Sequence, residues 1–254
     1  MKVGLVGFGK TGKPVASVLL KNKEISLEWV LRKTHTLEHR SVPEFLGIES
    51  DEPGLIYSIQ DISIETLLDV QPVDLIIDFA SPEAIYYYGD EAAKRKVRIL
   101  SAISHYPEET IAKLKELAKE TVVFWSPNIT LGINYLIIVA KYLKKIAPNV
   151  DFVVIEEHFK GKKEMSGTAK VIARELGVDE NEIKSIRAGG IIGRHEILCG
   201  FPYQTIRLIH ESISREAFGN GAIFVALNLM NKGRGSIISK NYFCPTFRFN
   251  LSNL

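Results

Sequence analysis

Residues 156–169 gather the side chains best suited to chemistry. The stretch leaves an apolar strand and concentrates four groups that are or can become cationic, His158, Lys160, Lys162 and Lys163. It ends in Ser166, Gly167, Thr168 and Ala169, where a helical pattern opens. That arrangement suits a carboxylate: the N–H groups of Gly167 and Thr168 and the hydroxyls of Ser166 and Thr168 can grip it at a helix start while the lysines neutralise it. His158, whose ordinary pKa is about 6.5, can give up a proton near neutrality, and Lys162 can stabilise developing negative charge. The plainer alternative is a strand-capping histidine followed by a solvated basic loop.

A second group of residues lies at the N-terminus. Gly7, Gly9 and Gly12 have the G-x-G-x-x-G spacing and enclose Phe8, Lys10 and Thr11. The glycines permit a tight turn, close backbone approach to a pyrophosphate and close helix-on-strand packing, and the helix N-terminus adds N–H groups. At the end of the second strand, where an acid would meet ribose hydroxyls, stand Arg32 and Lys33. Cations there suit a 2′-phosphate, so NADPH is the preferred cofactor and NADH the alternative; a solvated basic pair is the other reading. His195 and His210, alone on strands, read as hydrogen-bonded structural groups, and Arg187 and Arg215 serve equally as ties between elements or as substrate contacts. Asn128 either touches the nicotinamide carboxamide or holds the crossover between domains.

The elements that must position these residues follow from periodicity. An apolar strand from residue 2, the glycine turn and helical spacing from Pro14 make a first strand-turn-helix. Strands at residues 27–31, 73–79 and 98–101 follow, with a polar stretch after the first of them and helices near 83–95 and 107–119. Such alternation implies a Rossmann-type α/β fold with a doubly wound parallel sheet. After a strand at 122–126 the pattern changes to a helix near 131–147 and strands at 153–158, 185–198 and 204–210, the last two flanking a turn at 200–203. This predicts a second α+β domain on a mixed or antiparallel sheet, with a final helix near 215–230 returning to the first. The expected boundaries are 1–128 plus 216–254 for the dinucleotide domain and 129–215 for substrate binding and oligomerisation.

Composition narrows the function. With 254 residues, 46% of them hydrophobic, the chain can bury a large core. Lys and Arg number 32 against 30 Asp and Glu, a net charge of +2 that excludes an overall basic field for nucleic acid or an anionic membrane. Cys199 and Cys244 lack metal or disulfide spacing and read as structural thiols in a reducing compartment. No metal site is expected. No apolar run reaches the roughly 18 residues of a membrane helix, and a strand from residue 2 leaves no room for a signal peptide, so a cytoplasmic protein is expected.

Residues 7–12, 77–84, 126–134, 158–169, 185–196 and 214–222 together resemble the dihydrodipicolinate reductases, the 4-hydroxy-tetrahydrodipicolinate reductases of lysine and diaminopimelate biosynthesis. The likeness spans almost the whole chain. It implies a nicotinamide cofactor, a small anionic dicarboxylate bound at the domain cleft, domain closure on binding, and a homotetramer built through the second-domain sheets. His158 matches the first histidine and Lys162 the lysine of the family's His-His-x-x-Lys pattern, assigned to proton donation or polarisation of the imine; Ser166, Gly167 and Thr168 match its carboxylate-binding turn. Phe79 lies in a matching cofactor segment, and Ser101, Ala102 and Ile103, with Ser104, stand where the family's Gly-Thr-Thr-Gly loop lies against the nicotinamide. The sequence departs from the pattern at Phe159, which replaces the second histidine, and at Glu164 and Met165, which replace an Asp-Ala-Pro and shorten the loop by one residue. Two further readings stay open, a reductase of another imino or keto acid and a catalytically silent nucleotide-binding paralogue.

Overall fold

The computed structural model describes residues 1–35, 40–230 and 235–238. They fall into two compact units, one holding Met1–Ile129 and the described residues from Phe218 onward, the other Thr130–Ala217. Cys244 and the tail beyond 238 lie outside the described residues.

The first unit is a parallel sheet covered by helices. Its strands are β1 (Lys2–Val6), β2 (Ser26–Arg32), β3 (Leu55–Ser58), β4 (Leu75–Asp78), β5 (Arg98–Ser101), β6 (Val122–Trp125) and, numbered by its place in the chain, β11 (Gly235–Ile238). The order across the sheet is β11-β6-β5-β4-β1-β2-β3, with every pairing parallel. Helices α1 (Gly12–Leu19), α4 (Ala84–Lys94) and α5 (Glu108–Leu117) alternate with the strands. β1, β2, β4, β5 and β6 read as near-continuous apolar runs because both faces are buried. Trp29 on β2 is fully buried, and Gly4 on β1 makes room for it: a Cβ there would lie 2.2 Å from the indole ring.

The stretch read as polar holds three short elements, α2 (Val42–Leu46), β3 and α3 (Ile64–Val70). Local chemistry starts both helices. Ser41 accepts from the Glu44 N–H and Ser63 from the Thr66 N–H, satisfying N–H groups that the first turn leaves over.

The second unit comprises α6 (Leu131–Ile146), β7 (Asp151–His158), α7 (Gly167–Leu176), β8 (Lys184–Arg187), β9 (Arg194–Phe201) and β10 (Gln204–Glu211). Its sheet runs β10-β9-β7-β8; β9 is antiparallel to both neighbours, whereas β8 is parallel to β7. The sheet is therefore mixed. The single long strand expected over 185–198 is two strands, because β8 and β9 run in opposite senses and the chain must reverse between them. Gly189, at φ +47°, stands in that reversal. Val154 and Ile197 pack with Ile133, Leu136 and Ala140 of α6 and Ile172 of α7, so both helices cover one face. The other face carries Val153, Ile155, Glu157, Arg194, Glu196, Leu198, Arg207 and Ile209 by register. The final helix, α8 (Glu216–Leu229), belongs from Phe218 on to the first unit, where Gly219 lets it approach Val18 of α1; a Cβ there would lie 2.8 Å from the Val18 Cβ. Among the described residues no helix is long and apolar enough to cross a membrane.

Candidate functional site

Strand order reverses between β1 and β4, the place where open α/β sheets bind ligands. The segments leaving these strands meet there. Gly7 takes φ +99°, and a Cβ on it would lie 2.8 Å from the Ala80 nitrogen and the Phe79 carbonyl carbon. A Cβ on Gly12 would lie 1.9 Å from the Gly7 oxygen, so α1 can sit this close to β1 only with glycine at that position. A Cβ on Gly9 would meet nothing within 4 Å. Two glycines thus build the turn and the third leaves backbone open, which fits a dinucleotide's pyrophosphate at the start of α1. Lys10 and Lys33 are exposed, and Arg32 ends β2 half-buried with its Nη2 2.5 Å from the Thr34 hydroxyl.

Below this end of the sheet is a buried polar cluster. Asp78, fully buried, accepts from the Ala80 N–H at 2.8 Å and from the Tyr88 hydroxyl at 2.9 Å. Burial drives its carboxyl up to about 7 against the pull of these two donors. The Ser101 and Tyr106 hydroxyls pair at 2.8 Å. These bonds fix the chain leaving β4, against which Gly7 rests.

A third arrangement forms where β7 ends, and Glu156 is its centre. Its side chain is fully buried and receives the Arg187 guanidinium in a two-pronged grip, Nη2 to Oε1 at 2.6 Å and Nη1 to Oε2 at 3.0 Å. The Ser185 hydroxyl donates to Oε1 at 2.7 Å, and His158 Nδ1 pairs with Oε2. Burial alone would raise this carboxyl, but the Arg187, Ser185 and His158 bonds outweigh it and hold the pKa at about 2. Glu156 is therefore ionised at neutral pH and accepts the Nδ1 proton of His158, leaving Nε2 to exchange protons. That Nε2 lies 3.2 Å from where a Gly193 Cβ would stand. Burial, helped by the charges of Lys162 and Arg187, outweighs Glu156 and keeps His158 below the usual histidine range.

Arg187 also shapes the loop that follows β7. Its Nε donates to the Lys162 carbonyl at 3.0 Å and its Nη2 to the Glu164 carbonyl at 3.1 Å. The loop ends at Ser166, whose hydroxyl caps α7 by accepting from the Ala169 N–H and pairs with His195 Nε2 at 2.8 Å. The rings of His158 and His195 meet edge to face, 5.4 Å between centroids. A Cβ on Gly167 would meet nothing within 4 Å, so the first turn of α7 presents backbone to open space. In the loop that leads to it Lys162 is half-buried, whereas Lys160 and Lys163 are exposed. The arrangement can neutralise an anion and exchange a proton at one imidazole nitrogen. Among the described residues no group of three or more side chains could hold a metal ion.

Two family profiles together match residues 1–241, dihydrodipicolinate reductase N-terminus over residues 1–129 and dihydrodipicolinate reductase C-terminus over residues 130–241. The chain belongs to the dihydrodipicolinate reductase family. Among curated relatives, the 4-hydroxy-tetrahydrodipicolinate reductase of Caldanaerobacter subterraneus subsp. tengcongensis is 29% identical over 249 residues, covering 89% of this chain and 91% of that protein. The enzyme of the same name from Buchnera aphidicola subsp. Schizaphis graminum is 28% identical, covering 92% and 93%. The solved structure of dipicolinate-bound dihydrodipicolinate reductase from Paenisporosarcina sp. TG-14 superposes with a TM-score of 0.74 at 21% identity, covering 94% of this chain and 97% of that one.

Within the reductase frame, the structure gathers some residues expected from sequence and separates others. Gly7, Gly9, Gly12 and Phe79 converge at the β1/β4 reversal. Phe8 turns inward instead, edge-on to Phe45 at 5.2 Å, so only its backbone can face a cofactor. Ser101 and Ile103 likewise bury their side chains, leaving Ala102 half-exposed between them. The Ser126 hydroxyl donates to the Asn128 carbonyl at 2.8 Å and accepts the Asn128 N–H at 3.2 Å, which pins the chain after β6. His158, Lys162, Ser166, Gly167 and Thr168 share one end of the second unit. Sequence reasoning passed over Glu156, left Arg187 open between a tie and a substrate contact, and set His195 outside the site. A signal for Glu156 was available, since it sits two residues before His158 on the same face of a strand whose alternate positions are apolar.

Proposed function

We propose that this chain reduces 4-hydroxy-tetrahydrodipicolinate to tetrahydrodipicolinate with NADPH, in lysine and diaminopimelate biosynthesis in the cytoplasm. The observation that carries the reading is the Glu156-centred cluster, which orients His158 through Nδ1 and ties Arg187 to the backbone at Lys162 and Glu164 on the way to Ser166. When bound, the reduced nicotinamide supplies a hydride from C4 to an electron-poor carbon of the cyclic diacid. One proton is consumed with that hydride and the 4-hydroxyl leaves as water. Gly167 and Thr168 at the start of α7 bind a substrate carboxylate, and Lys162 offsets the negative charge that develops during transfer. His158 delivers the proton from Nε2. Free His158 is largely neutral at pH 7, so the diacid's negative charge draws the proton on as it binds.

Gly7, Gly9 and Gly12 hold the pyrophosphate, with the backbones of Phe8, Lys10 and Thr11 alongside; Arg32 and Lys33 meet the 2′-phosphate. Phe79, Ala102 and Asn128, with the backbones of Ser101 and Ile103, frame the nicotinamide. The deciding assay supplies the condensation product of pyruvate and aspartate semialdehyde and follows loss of reduced-cofactor absorbance. NADPH is expected to be oxidised and to bind at least about tenfold more tightly than NADH, a difference of about 1.4 kcal/mol. Tighter NADH binding would overturn the assignment of Arg32 and Lys33, and binding without oxidation would overturn the reductase reading.

Four copies assemble through the open face of the second sheet. Half-buried Val153, Ile155 and Leu198 lie there beside exposed Ile186 and Ile209. A chain of ion pairs from Glu157 through Arg194 and Glu196 to Arg207 crosses the same face, Arg194 meeting Glu196 at 2.7 Å. Light scattering is expected to give four times the subunit mass, and Ile209→Asp to lower it by placing a charge in the apolar contact. A monomeric wild type would exclude the assembly.

A further inference from the structure

His195 stands on β9, directly across from Glu156 in register, with its ring buried and turned toward the helices. It matches no part of the His-His-x-x-Lys pattern. Its Nε2 pairs with the Ser166 hydroxyl, and its Nδ1 is buried without a hydrogen-bond partner. The ring is neutral: burial first, then the neighbouring histidines, push its pKa down to about 3.

A neutral ring has two tautomers, and the surroundings choose between them. With the proton on Nδ1, an N–H would be buried with no acceptor, the least tolerated kind of unmet polar group. With the proton on Nε2, only a lone pair goes unmet, and the N–H points to Ser166 Oγ. That oxygen also accepts the Ala169 N–H at 3.4 Å. A hydroxyl has two acceptor positions and one donor, so both acceptor positions of Ser166 are then filled from inside the protein. Its remaining capacity is the O–H proton.

We propose that His195 is a positioning residue for acid binding: by donating to Ser166 Oγ it obliges the Ser166 hydroxyl to present its proton to a substrate carboxylate at the start of α7. The inference rests on the reductase reading above, which places the carboxylate there. It explains how a serine already used as a helix cap still contributes a donor to the ligand. It also gives β9 a share in recognition, although the loop and α7 carry the contacting groups.

The test uses the full-length protein with dipicolinate as probe and calorimetry as readout. His195→Leu, which keeps an apolar ring-sized filler without the donor, is expected to weaken dipicolinate about tenfold; the loss should fall mainly on KM rather than kcat in turnover. His195→Gln, whose amide nitrogen reaches about as far as Nε2, is expected to recover most of that loss. In a Ser166→Ala background, His195→Leu should cost less than about twofold more, because the two residues act through one hydroxyl. Equal losses in both backgrounds, no rescue by glutamine, or undiminished binding by His195→Leu would each overturn the inference while leaving the reductase reading intact. A wild type that neither binds dipicolinate nor turns over substrate would overturn both.

Discussion

Lys162→Ala is expected to lower kcat/KM for the cyclic diacid by about 100- to 1,000-fold, the range seen when one group aimed at developing charge is removed from a preorganised site. The Lys162 backbone is independently anchored, its N–H to the Phe159 carbonyl at 3.0 Å and its carbonyl to Arg187, so the substitution removes the ammonium and little else. A second readout follows from charge. Lys162 helps to hold His158 below its usual range. If His158 donates the proton, kcat/KM falls as pH rises through the free enzyme's His158 pKa, and in the wild type that fall is centred below 6.5. Without Lys162 the fall should move to higher pH. Residual turnover with an unmoved limb would remove His158 from the donor role, and turnover at the wild-type rate would remove Lys162 from the chemistry.

Glu156→Ala is expected to destabilise the second unit by about 3–5 kcal/mol, because it strips the partner from a partly buried guanidinium and unties His158 and Ser185 together. For a unit of this size, Thr130–Ala217, the melting temperature should drop by roughly 12–40 °C. The pH dependence gives the sign. A carboxyl held at about 2 when folded, against an ordinary 4.5, adds stability in full above 4.5 and loses it as pH falls toward 2. Glu156→Gln should therefore flatten part of the acid limb of the stability profile while sparing more of the neutral-pH stability than alanine does. Equal melting temperatures for wild type and Glu156→Ala at pH 7 would show that the buried ion pair does not hold this end of β7.

Much of the first unit was legible because its central strands are buried apolar runs, even where only four residues long, and its glycines do separate tasks. The short elements between β2 and β4 were not, since β3 is an edge strand with Leu55, Ile56 and Tyr57 only half-buried and α2 is five residues, too short for period to register. The pairing partner of a strand is also invisible locally. Residues 185–198 alternate well enough to pass for one strand, and only the opposed directions of β8 and β9 expose the turn at Gly189. The groups proposed to face the ligand in the second unit stand in one contiguous stretch of sequence. Their supports do not, because Glu156, Arg187 and His195 come from three strands and meet only once β7 pairs on both edges. A histidine alone on a strand is ordinarily a satisfied structural group, and His195 departs from that only through a neighbour 29 residues away.

The fixed fork of Arg187 acts as a gauge on the loop it spans. It holds the carbonyls at Lys162 and Glu164, and only exposed Lys163 lies between those two anchor points. Added length at residue 163 can bulge away into solvent without shifting either anchor, whereas an insertion nearer Ser166 must drag the cap of α7 out of line. An exposed position flanked by two anchored carbonyls also offers a place to attach a spectroscopic label that reports on the loop.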